Sequence, residues 1–349
     1  MNNYSLTDFF KIATMGGHYL GLLEDGLVYR WGQNFEGQLG NGVKNPRIVD
    51  SAQTRSGDEQ DYYGVLDFPK RIVSVATGSL HSLICTKEGE VYSFGGNQYG
   101  QLGDGTENIH CSPTLVSLPE RAMKVIAGTR DSFALTQEGT LYLWGQNPLL
   151  MTAVKSATFP FVLDFPFPVR DIVSNSQQTF LQTQDGDIYA WGWNYSGELG
   201  NGSILHRLTP EKCAIRDVEK IVCGRSAVLA KTRNGEIFTW GDNSSGELGQ
   251  GADIQFSSVP ERIFDGVKDI AAGKHTFYVQ TEDLCIYGWG DSLHGELGTA
   301  HSSVYTTPTP VSLKSTILKD LPFKIQGWCP GYTTLEKELR KSWQREMEL

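Results

Sequence analysis

The chain has 349 residues, of which 39% are hydrophobic and 20% are charged, a balance that is typical of a globular protein and excludes a largely disordered one. Its formal net charge is -10, and the sequence contains no run of Lys and Arg. This charge disfavours direct binding of DNA or RNA and favours a partner with a basic surface. No apolar run approaches the roughly 20 residues of a membrane helix, and no signal peptide is expected.

Short apolar segments recur along the chain, beginning with Lys11-Ile12-Ala13-Thr14. Each is followed by a second apolar segment, then by a turn, and then by a third segment such as Glu236-Ile237-Phe238-Thr239-Trp240. The turns are Glu24-Asp25-Gly26, Lys87-Glu88-Gly89, Gln137-Glu138-Gly139, Gln184-Asp185-Gly186 and Arg233-Asn234-Gly235. Asp-Gly and Asn-Gly favour hairpins because these residues tolerate positive φ. Since the segments are too short for helices, each unit is predicted to be a small antiparallel sheet.

The third segment of each unit ends in an aromatic residue followed by Gly, and five of these six pairs precede a Gly-Gln/Glu-Leu-Gly phrase. The pairs are Trp31-Gly32, Phe94-Gly95, Trp144-Gly145, Trp191-Gly192, Trp240-Gly241 and Trp289-Gly290. The phrase occupies residues 37–40, 100–103, 197–200, 246–249 and 295–298. Its Gly residues are expected where backbones crowd and its Leu between neighbouring sheets, so the pattern favours a structural role for the Trp, Leu and Gly residues.

The polar and acidic segment 44–66 interrupts the repeat between the first and second units and carries the pair Tyr62-Tyr63 near its end. A long loop on a rigid scaffold is a reasonable contact for a partner. A disordered insertion is an equal alternative, and the sequence leaves both open.

The third unit departs from the repeat at the point where the phrase is expected. Trp144-Gly145 is followed instead by Gln146, Asn147, Pro148, Leu149, Leu150 and Met151. One interpretation is that Leu149, Leu150 and Met151 pack on a partner protein, next to a proline that stiffens the loop. The other is that this segment is a degenerate edge of the sheet, with its apolar residues buried.

A single sheet of this size buries too little apolar surface to stand alone, so neighbouring units must pack face to face around an axis, as in a β-propeller. The sequence therefore predicts an all-β propeller of six blades, with seven as the alternative. A partial unit at 324–335 is expected to pair with the N-terminal segment and close the ring. The spacing of Leu339, Trp343 and Met347 predicts a short amphipathic helix over 336–349. The expected divisions are a lead-in at 1–10 and units around 11–66, 67–120, 121–167, 168–216, 217–265 and 266–323, within one domain at 11–335.

The six cysteines form no C-x-x-C pair, and their spacing does not repeat. Three of them, Cys85, Cys223 and Cys285, lie in apolar, strand-like segments. We expect buried free thiols, as in a reducing compartment.

The repeats resemble the RCC1-like family, named after the regulator of chromosome condensation. The resemblance rests on the Trp/Phe-Gly-x-Asn-x-x-Gly-Gln/Glu-Leu-Gly-x-Gly strings at 31–42, 94–105, 191–202 and 240–251, and on Ala-Thr-Gly-x-x-His at 76–81. It covers residues 11–335 and implies the propeller fold. The founding member is a guanine nucleotide exchange factor for the small GTPase Ran, whereas others are adaptor modules in ubiquitin ligases, ciliary proteins and a plant UV-B receptor.

The order of the units resembles that of the exchange factor, in which the third aromatic-Gly pair is followed by a projecting hairpin, the β-wedge, that presses on the GTPase. The resemblance thus implies that Gln146 to Met151 contact a GTPase. Family exchange factors also use polar residues in the loops before the second strand, and the order-matched positions are His81, Asp131, Gln177 and His275. Gln177 stands where the exchange factor has an important acidic residue. A histidine in such a loop is more often structural, bonding to a neighbouring blade.

The resemblance implies an exchange factor for a Ran-like GTPase, which acts without covalent chemistry by binding the nucleotide-free GTPase more tightly. The alternative is a non-catalytic protein–protein interaction scaffold. The chain has no Walker loop, G-x-S-x-G elbow or H-E-x-x-H motif, so we expect no covalent enzyme chemistry, no metal and no cofactor. A monomer in the cytoplasm is expected, without the basic tail that anchors a family member to chromatin; the nucleus and delivery into a host cell are the alternatives.

Overall fold

A computed structural model of the chain describes residues 9–15, 17–44, 63–147, 156–175, 177–293, 296–297 and 303–311. These residues form 24 strands, arranged in six antiparallel sheets of four strands each. The four strands of a sheet follow one another in the chain, so each sheet is a meander built by one repeat unit. The structure confirms the prediction of an all-β propeller with six blades.

The first three strands of each blade have five or six residues, whereas the fourth strand varies from three residues in β4 to nine in β20. The first strands are β1 (Phe9–Thr14), β5 (Ile72–Thr77), β9 (Ala122–Ala127), β13 (Val169–Ser174), β17 (Val218–Cys223) and β21 (Val267–Ala272). The second strands are β2 (His18–Leu23), β6 (His81–Thr86), β10 (Asp131–Thr136), β14 (Gln178–Thr183), β18 (Ala227–Thr232) and β22 (Thr276–Thr281). The third strands are β3 (Val28–Gly32), β7 (Val91–Gly95), β11 (Leu141–Gly145), β15 (Ile188–Gly192), β19 (Ile237–Asp242) and β23 (Ile286–Asp291). The fourth strands are β4 (Tyr63–Val65), β8 (His110–Val116), β12 (Ala157–Leu163), β16 (Arg207–Lys212), β20 (Phe256–Phe264) and β24 (Val304–Pro310).

The first strands lie nearest the axis of the ring, where β1, β5, β9, β13 and β17 line a narrow central cavity. Charged side chains join some of these strands across the gap between blades. Lys124 of β9 pairs with Asp171 of β13, and Lys220 Nζ of β17 lies 2.6 Å from Asp269 Oδ1 of β21. Each pair therefore ties two successive blades together close to the axis.

The fourth strand of each blade is the outer edge of its sheet. Five of these strands contain a proline near their middle, namely Pro113, Pro160, Pro210, Pro260 and Pro308. Because proline has no N–H to donate, it is tolerated at an edge and discourages pairing with another chain. The repeat pattern predicts only three strands per unit, and the structure shows a fourth strand in each blade.

The hydrophobic core is divided among the five seams between successive blades. The aromatic residue of the aromatic-Gly pair is buried in each of these seams. These residues are Phe94, Trp144, Trp191, Trp240 and Trp289. The leucines of the phrase are buried as well: Leu39, Leu102, Leu199, Leu248 and Leu297. The structural role predicted for the aromatic and leucine residues is confirmed.

The glycine of the aromatic-Gly pair is required by a close approach of two strands. Gly192 has a φ of +115°, and a Cβ placed on it would lie 2.1 Å from the carbonyl oxygen of Gln177. The backbone of the second strand therefore crosses where any other side chain would begin. Because the left-handed region also disfavours residues with a Cβ, only glycine fits this position.

The predictions about the C-terminal segments and the insertion concern residues that lie mainly outside the described part of the chain. The closing unit at 324–335 and the helix at 336–349 lie outside the described residues, and the described first blade is complete with its own four strands, β1 to β4. In the insertion, residues 45–62 also lie outside the described part. Tyr63, however, begins β4 and pairs with Trp31, so the end of this segment is the edge strand of the first blade.

The thiols confirm the prediction in part. Cys85 and Cys223 are buried, as is Cys213, and burial raises the pKa of the Cys85 and Cys223 thiols to about 12. The prediction is wrong for Cys285, which is exposed. Its apolar neighbours belong to a hairpin turn at the rim, where Leu284 has a φ of +66° and faces solvent.

Candidate functional site

The predicted site residues that the structure describes lie at one end of the ring. The loop before the second strand and the loop after the third strand emerge at the same end of each blade, because adjacent strands are antiparallel. We call this the loop end; the hairpin turns between second and third strands lie at the opposite, turn end. His81, Asp131, Gln177, His275, Gln146 and Asn147 all lie at the loop end.

At an intact seam, the phrase of one blade binds the aromatic residue of the next. Trp240 Nε1 donates to the carbonyl oxygen of Glu198 at 2.8 Å. The same bond joins Trp144 to Gln101 and Trp289 to Glu247. The preceding asparagine holds the phrase in place, since Asn194 Oδ1 accepts a hydrogen bond from the backbone N–H of Leu199 at 2.9 Å. The repeated residues thus form one hydrogen-bonded unit at these three seams.

The third blade seals its seam differently, because it has no phrase to offer. Trp191 of the fourth blade is fully buried, and its Nε1 donates to Asn147 Oδ1 at 3.2 Å. The amide nitrogen of Asn147 donates to Asp131 Oδ2. In the intact blades this asparagine holds the phrase, whose backbone carbonyl accepts the tryptophan N–H. In the third blade the side-chain oxygen of Asn147 is itself the acceptor. A signal for this was present in the sequence, since Asn147 continues the aromatic-Gly-x-Asn pattern of the intact units.

Asp131 is a buried carboxyl group at the root of this third loop. Burial raises its pKa to about 7, although the hydrogen bonds from Asn147 and from the backbone act in the opposite direction. A raised pKa in a buried position is a common mark of a functional site and also of structural networks. Both Asp131 and Asn147 are buried, so in this structure they support the loop end from below its surface.

His81 has a structural role as well. Its Nε2 lies 2.9 Å from Ser132 Oγ of the next blade, and this hydroxyl donates to the carbonyl oxygen of Gln101 at 2.8 Å. His18 makes the matching contact with Ser82. Burial is the main cause that lowers the pKa of His81 to about 4 and that of His18 to about 3. Both rings are therefore neutral at pH 7. His81 is fully buried and cannot itself contact a partner.

The strand register corrects the matching of Gln177 and His275. His81 and Asp131 pair with the glycine of the aromatic-Gly pair, and the residues that do so in the fourth and sixth blades are Gln178 and Thr276. Gln177 and His275 therefore lie one residue earlier, in the loop, where both are partly exposed. His275 Nδ1 lies 2.8 Å from Glu247 Oε1 of the fifth blade, which is a bond across a seam.

The beginning of the segment predicted to contact a GTPase is anchored to the scaffold. Gln146 is half-buried; its backbone N–H donates to the carbonyl oxygen of Arg130 at 2.9 Å, and its side-chain oxygen accepts from the Arg130 guanidinium at 3.1 Å. This exposed guanidinium also lies over the ring of Tyr99, 4.3 Å from its centre. Arg130 and Tyr99 are surface residues of the site that the sequence did not single out. Pro148, Leu149, Leu150 and Met151 lie outside the described residues.

Two other features are absent from the described residues. No group of three or more His, Cys, Asp or Glu side chains is arranged there to hold a metal ion. No helix long and apolar enough to cross a membrane occurs in the same residues.

The chain belongs to the RCC1-like family. The family model described as "RCC1-like domain" matches residues 2–327. Among curated proteins, the human E3 ubiquitin-protein ligase HERC2 is 40% identical over 100 residues, which are 28% of this chain and 2% of the ligase. The probable human E3 ubiquitin-protein ligase HERC4 is 32% identical over 108 residues, or 31% of this chain and 9% of that protein. The chain thus spans a small part of the length of the curated relatives it matches.

Solved structures show the same fold at low identity. Human WBSCR16 superposes with a TM-score of 0.72 at 21% identity, covering 88% of this chain and 83% of that one. Prp20p from Saccharomyces cerevisiae superposes with a TM-score of 0.73 at 21% identity, covering 87% of this chain and 77% of Prp20p. Yeast RCC1 (Prp20), in its complex with Kap60, superposes with a TM-score of 0.74 at 22% identity, covering 87% of this chain and 75% of that one.

Proposed function

We propose that this propeller is a guanine nucleotide exchange factor for a Ran-like small GTPase, with the loop after Trp144 as the element that displaces nucleotide. The observation that carries the proposal is the third seam. Asn147 seals that seam without the phrase, so the seam does not require a Gly-Gln/Glu-Leu-Gly sequence in the residues that follow it. A loop whose sequence is not fixed by the scaffold is suited to contact a partner.

The mechanism needs no covalent step. An exchange factor that binds the nucleotide-free GTPase better than the nucleotide-bound form lowers the affinity for nucleotide by the same factor. Gln146 and Asn147 anchor the loop to the scaffold through Arg130, Asp131 and Trp191. Leu149, Leu150 and Met151 follow directly after Pro148, and their apolar side chains would supply the contact with the GTPase.

Two further features support a protein partner of this type. The formal net charge of -10 favours encounter with a basic surface. Prp20p, which shares the fold, is described together with its binding to Gsp1p and histones, and the founding family member acts on Ran. Gln177 and His275, which are partly exposed at the loop end, are the remaining polar positions that we propose to contact the GTPase.

A nucleotide-release assay tests the proposal. Ran loaded with a fluorescent guanosine diphosphate is mixed with an excess of unlabelled nucleotide, and release is followed at micromolar propeller. We expect release to be accelerated by at least about a hundredfold, which corresponds to roughly 3 kcal/mol of transition-state stabilisation. No acceleration would exclude the exchange function for Ran.

The assignment of the loop is tested separately with a matched control. The double variant Leu149→Ala, Leu150→Ala should lose most of the acceleration while the ring stays folded. The control replaces Val73 and Met123, two exposed apolar residues at the turn end, by alanine and should keep the activity. If the loop variant is as active as the control, the loop after Trp144 is not the displacing element.

The second candidate is a non-catalytic interaction scaffold. It is favoured by the similarity to segments of HERC2 and HERC4, which make up 2% and 9% of these ligases. A scaffold would bind its partner without changing nucleotide release. The same assay therefore separates the two, provided that binding of Ran is measured in parallel.

A further inference from the structure

Three aromatic rings form an exposed cluster at the loop end of the fourth blade. Trp193 and Tyr195 stack with their ring centres 5.6 Å apart and their planes 8° from parallel. His206 meets both rings edge-on, at 4.8 Å from Trp193 and 4.4 Å from Tyr195. The exposed fractions are 38% for Trp193 and 65% for Tyr195, and the apolar Ile204 and Leu205 next to His206 are exposed too. We call Trp193, Tyr195 and His206 the aromatic platform.

The platform is held in place by the backbone. The N–H of Trp193 donates to the carbonyl oxygen of Gln177 at 3.0 Å, and the carbonyl oxygen of Trp193 accepts from Gln178 Nε2 at 3.1 Å. The N–H of Asn194 donates to His206 Nδ1 at 2.9 Å. These three hydrogen bonds fix the position of the platform on the fourth blade.

The repeat does not require an aromatic residue at these positions. Trp193 occupies the variable position between the aromatic-Gly pair and the asparagine. The other units place there Gln33, Gly96, Gln146, Asp242 and Asp291. Trp191, the repeat tryptophan of this blade, is fully buried in its seam, whereas Trp193 and Tyr195 are 38% and 65% exposed. The repeat pattern thus accounts for Trp191 but does not call for aromatic rings at 193 and 195.

A carboxylate lies beside the platform. Asp242 of the fifth blade accepts a hydrogen bond from Ser196, the residue after Tyr195, at 3.4 Å between Oγ and Oδ1. Within the described residues, Asp242 forms no ion pair; its described donors are groups of Ser196 and Ser244. The pKa of the nearby Glu198 is raised, mainly by burial and to a smaller extent by the negative charge of Asp242. An aromatic face next to an unpaired carboxylate is complementary to a cation.

The chain itself shows how a guanidinium binds at this end. At the seam between the second and third blades, the guanidinium of Arg130 lies over the partly exposed ring of Tyr99, 4.3 Å from its centre. Among the described residues, no cation lies in this way over Trp193 or Tyr195. A nucleic-acid base would also stack on such rings, but its phosphates would meet Asp242 and a chain with a net charge of -10.

We propose that the aromatic platform and Asp242 form a docking site for an arginine-bearing segment of a protein partner. The planar guanidinium stacks on Trp193 and Tyr195 while its N–H groups reach the Asp242 carboxylate. Ile204 and Leu205 extend the contact to apolar neighbours of the arginine. The site is independent of nucleotide exchange, because it uses neither Asn147 nor the residues that follow it.

Titration of the full chain with a peptide probe tests this proposal. The chain is labelled with fluorotryptophan, and the resonance of Trp193 among its eight tryptophans is identified by its loss in Trp193→Phe. The probe is a capped hexapeptide with two arginines, and the matched probe carries citrulline at the same positions, which keeps the shape and removes the charge. The arginine probe should shift the Trp193 resonance with a dissociation constant of about 1 mM or lower.

Three variants locate the binding. Tyr195→Ala and Asp242→Asn should each weaken binding of the arginine probe by about three- to tenfold, and Asp242→Asn should leave binding of the citrulline probe unchanged. Tyr63→Ala, which removes an exposed tyrosine from the first blade, is the control and should have no effect. Unchanged fluorine resonances of the buried tryptophans show that each variant is folded.

Four results would overturn the proposal. They are equal affinity for the arginine and citrulline probes, no shift of Trp193 up to about 5 mM of probe, equal binding by Tyr195→Ala and Tyr63→Ala, and a Trp193 shift that depends on protein concentration without probe. The last result would assign the platform to contacts between copies of this chain.

Discussion

At the scale of single residues, Asn147 is the position on which the third seam depends. Asn147→Ala leaves Trp191 Nε1 without its acceptor and Asp131 without its amide donor, both in the interior. Since an unsatisfied buried polar group costs about 1 to 3 kcal/mol, we expect the free energy of unfolding to fall by about 2 to 3 kcal/mol. Urea unfolding measures this change.

The neighbouring Gln146→Ala is the matched control. Gln146 is half-buried and shares its side-chain bond with the exposed Arg130, so its loss should cost less than about 0.5 kcal/mol. If the two variants are equally stable, Asn147 does not seal the seam.

Asp131 gives the third blade a dependence of stability on pH. Its pKa is raised from 3.8 to about 7, so between these values the folded state holds a proton that the unfolded state releases. Stability contributed by this group is therefore present below about pH 4 and is lost as the pH rises towards 7. We expect Asp131→Asn to gain on the order of 2 kcal/mol over the wild type between pH 4.5 and 8, measured as the difference in urea unfolding.

His18 and His81 change the stability with pH in the direction opposite to Asp131 over part of the range from pH 4.5 to 8. The lowered pKa values of His18 and His81 make stability rise with pH up to about 6.5 in both proteins. The comparison is therefore between the wild type and Asp131→Asn at each pH, which cancels the histidines. A constant difference between the two proteins would mean that Asp131 is ionised in the fold at all these pH values.

The sequence predicts residue types better than residue partners. The buried Trp and Leu of the repeat follow from their regular spacing, whereas the bond from Trp191 to Asn147 depends on which group lies nearest when the phrase is missing. Order along the chain matches Gln177 and His275 to His81. In the strand register, however, the residues that pair with Gly192 and Gly290 are Gln178 and Thr276, one residue later. A shift of one residue turns a buried position into a loop position.

At the scale of elements, the aromatic-Gly turn carries a steric prediction. Gly192→Ala places a Cβ 2.1 Å from the carbonyl oxygen of Gln177, in addition to the left-handed φ. Gly251→Ala is the control, since Gly251 has a φ of +99° but no atom within 4 Å of the added Cβ. We expect Gly251→Ala to lower the free energy of unfolding by about 1 to 2 kcal/mol, because of the backbone conformation alone. Gly192→Ala should lower it by at least about 2 kcal/mol more. Equal losses in thermal unfolding would show that the close approach is not limiting.

The outer strands show why part of the fold escaped prediction. Each of Pro113, Pro160, Pro210 and Pro260 lies inside a strand, although proline normally argues against one. The exception applies because these strands are edges, and their position as edges is known only once the blade is assembled. The first three strands of a unit are predictable because they carry an apolar pattern and a hairpin turn.

At the scale of the whole molecule, the blades differ in how they are joined and in what they leave exposed. Four of the five seams pack against a phrase, and the third relies on Asn147. The loop end carries Gln146 and Asn147, where the segment after Trp144 begins, and the aromatic platform on the next blade. The five intact copies of the phrase are structural, and the departures from them are where we expect function.

Replacement of the departing loop by an intact one tests the central claim most directly. Residues 244–255, which follow Asn243 in the fifth blade, are grafted in place of 148–156, which follow Asn147 in the third. The initial rate of labelled nucleotide release from Ran is then compared with that of the wild type. The account predicts a folded ring whose acceleration of release is lost. Full acceleration by the folded graft would contradict it, because the loop after Trp144 would then carry no function that an ordinary structural loop lacks.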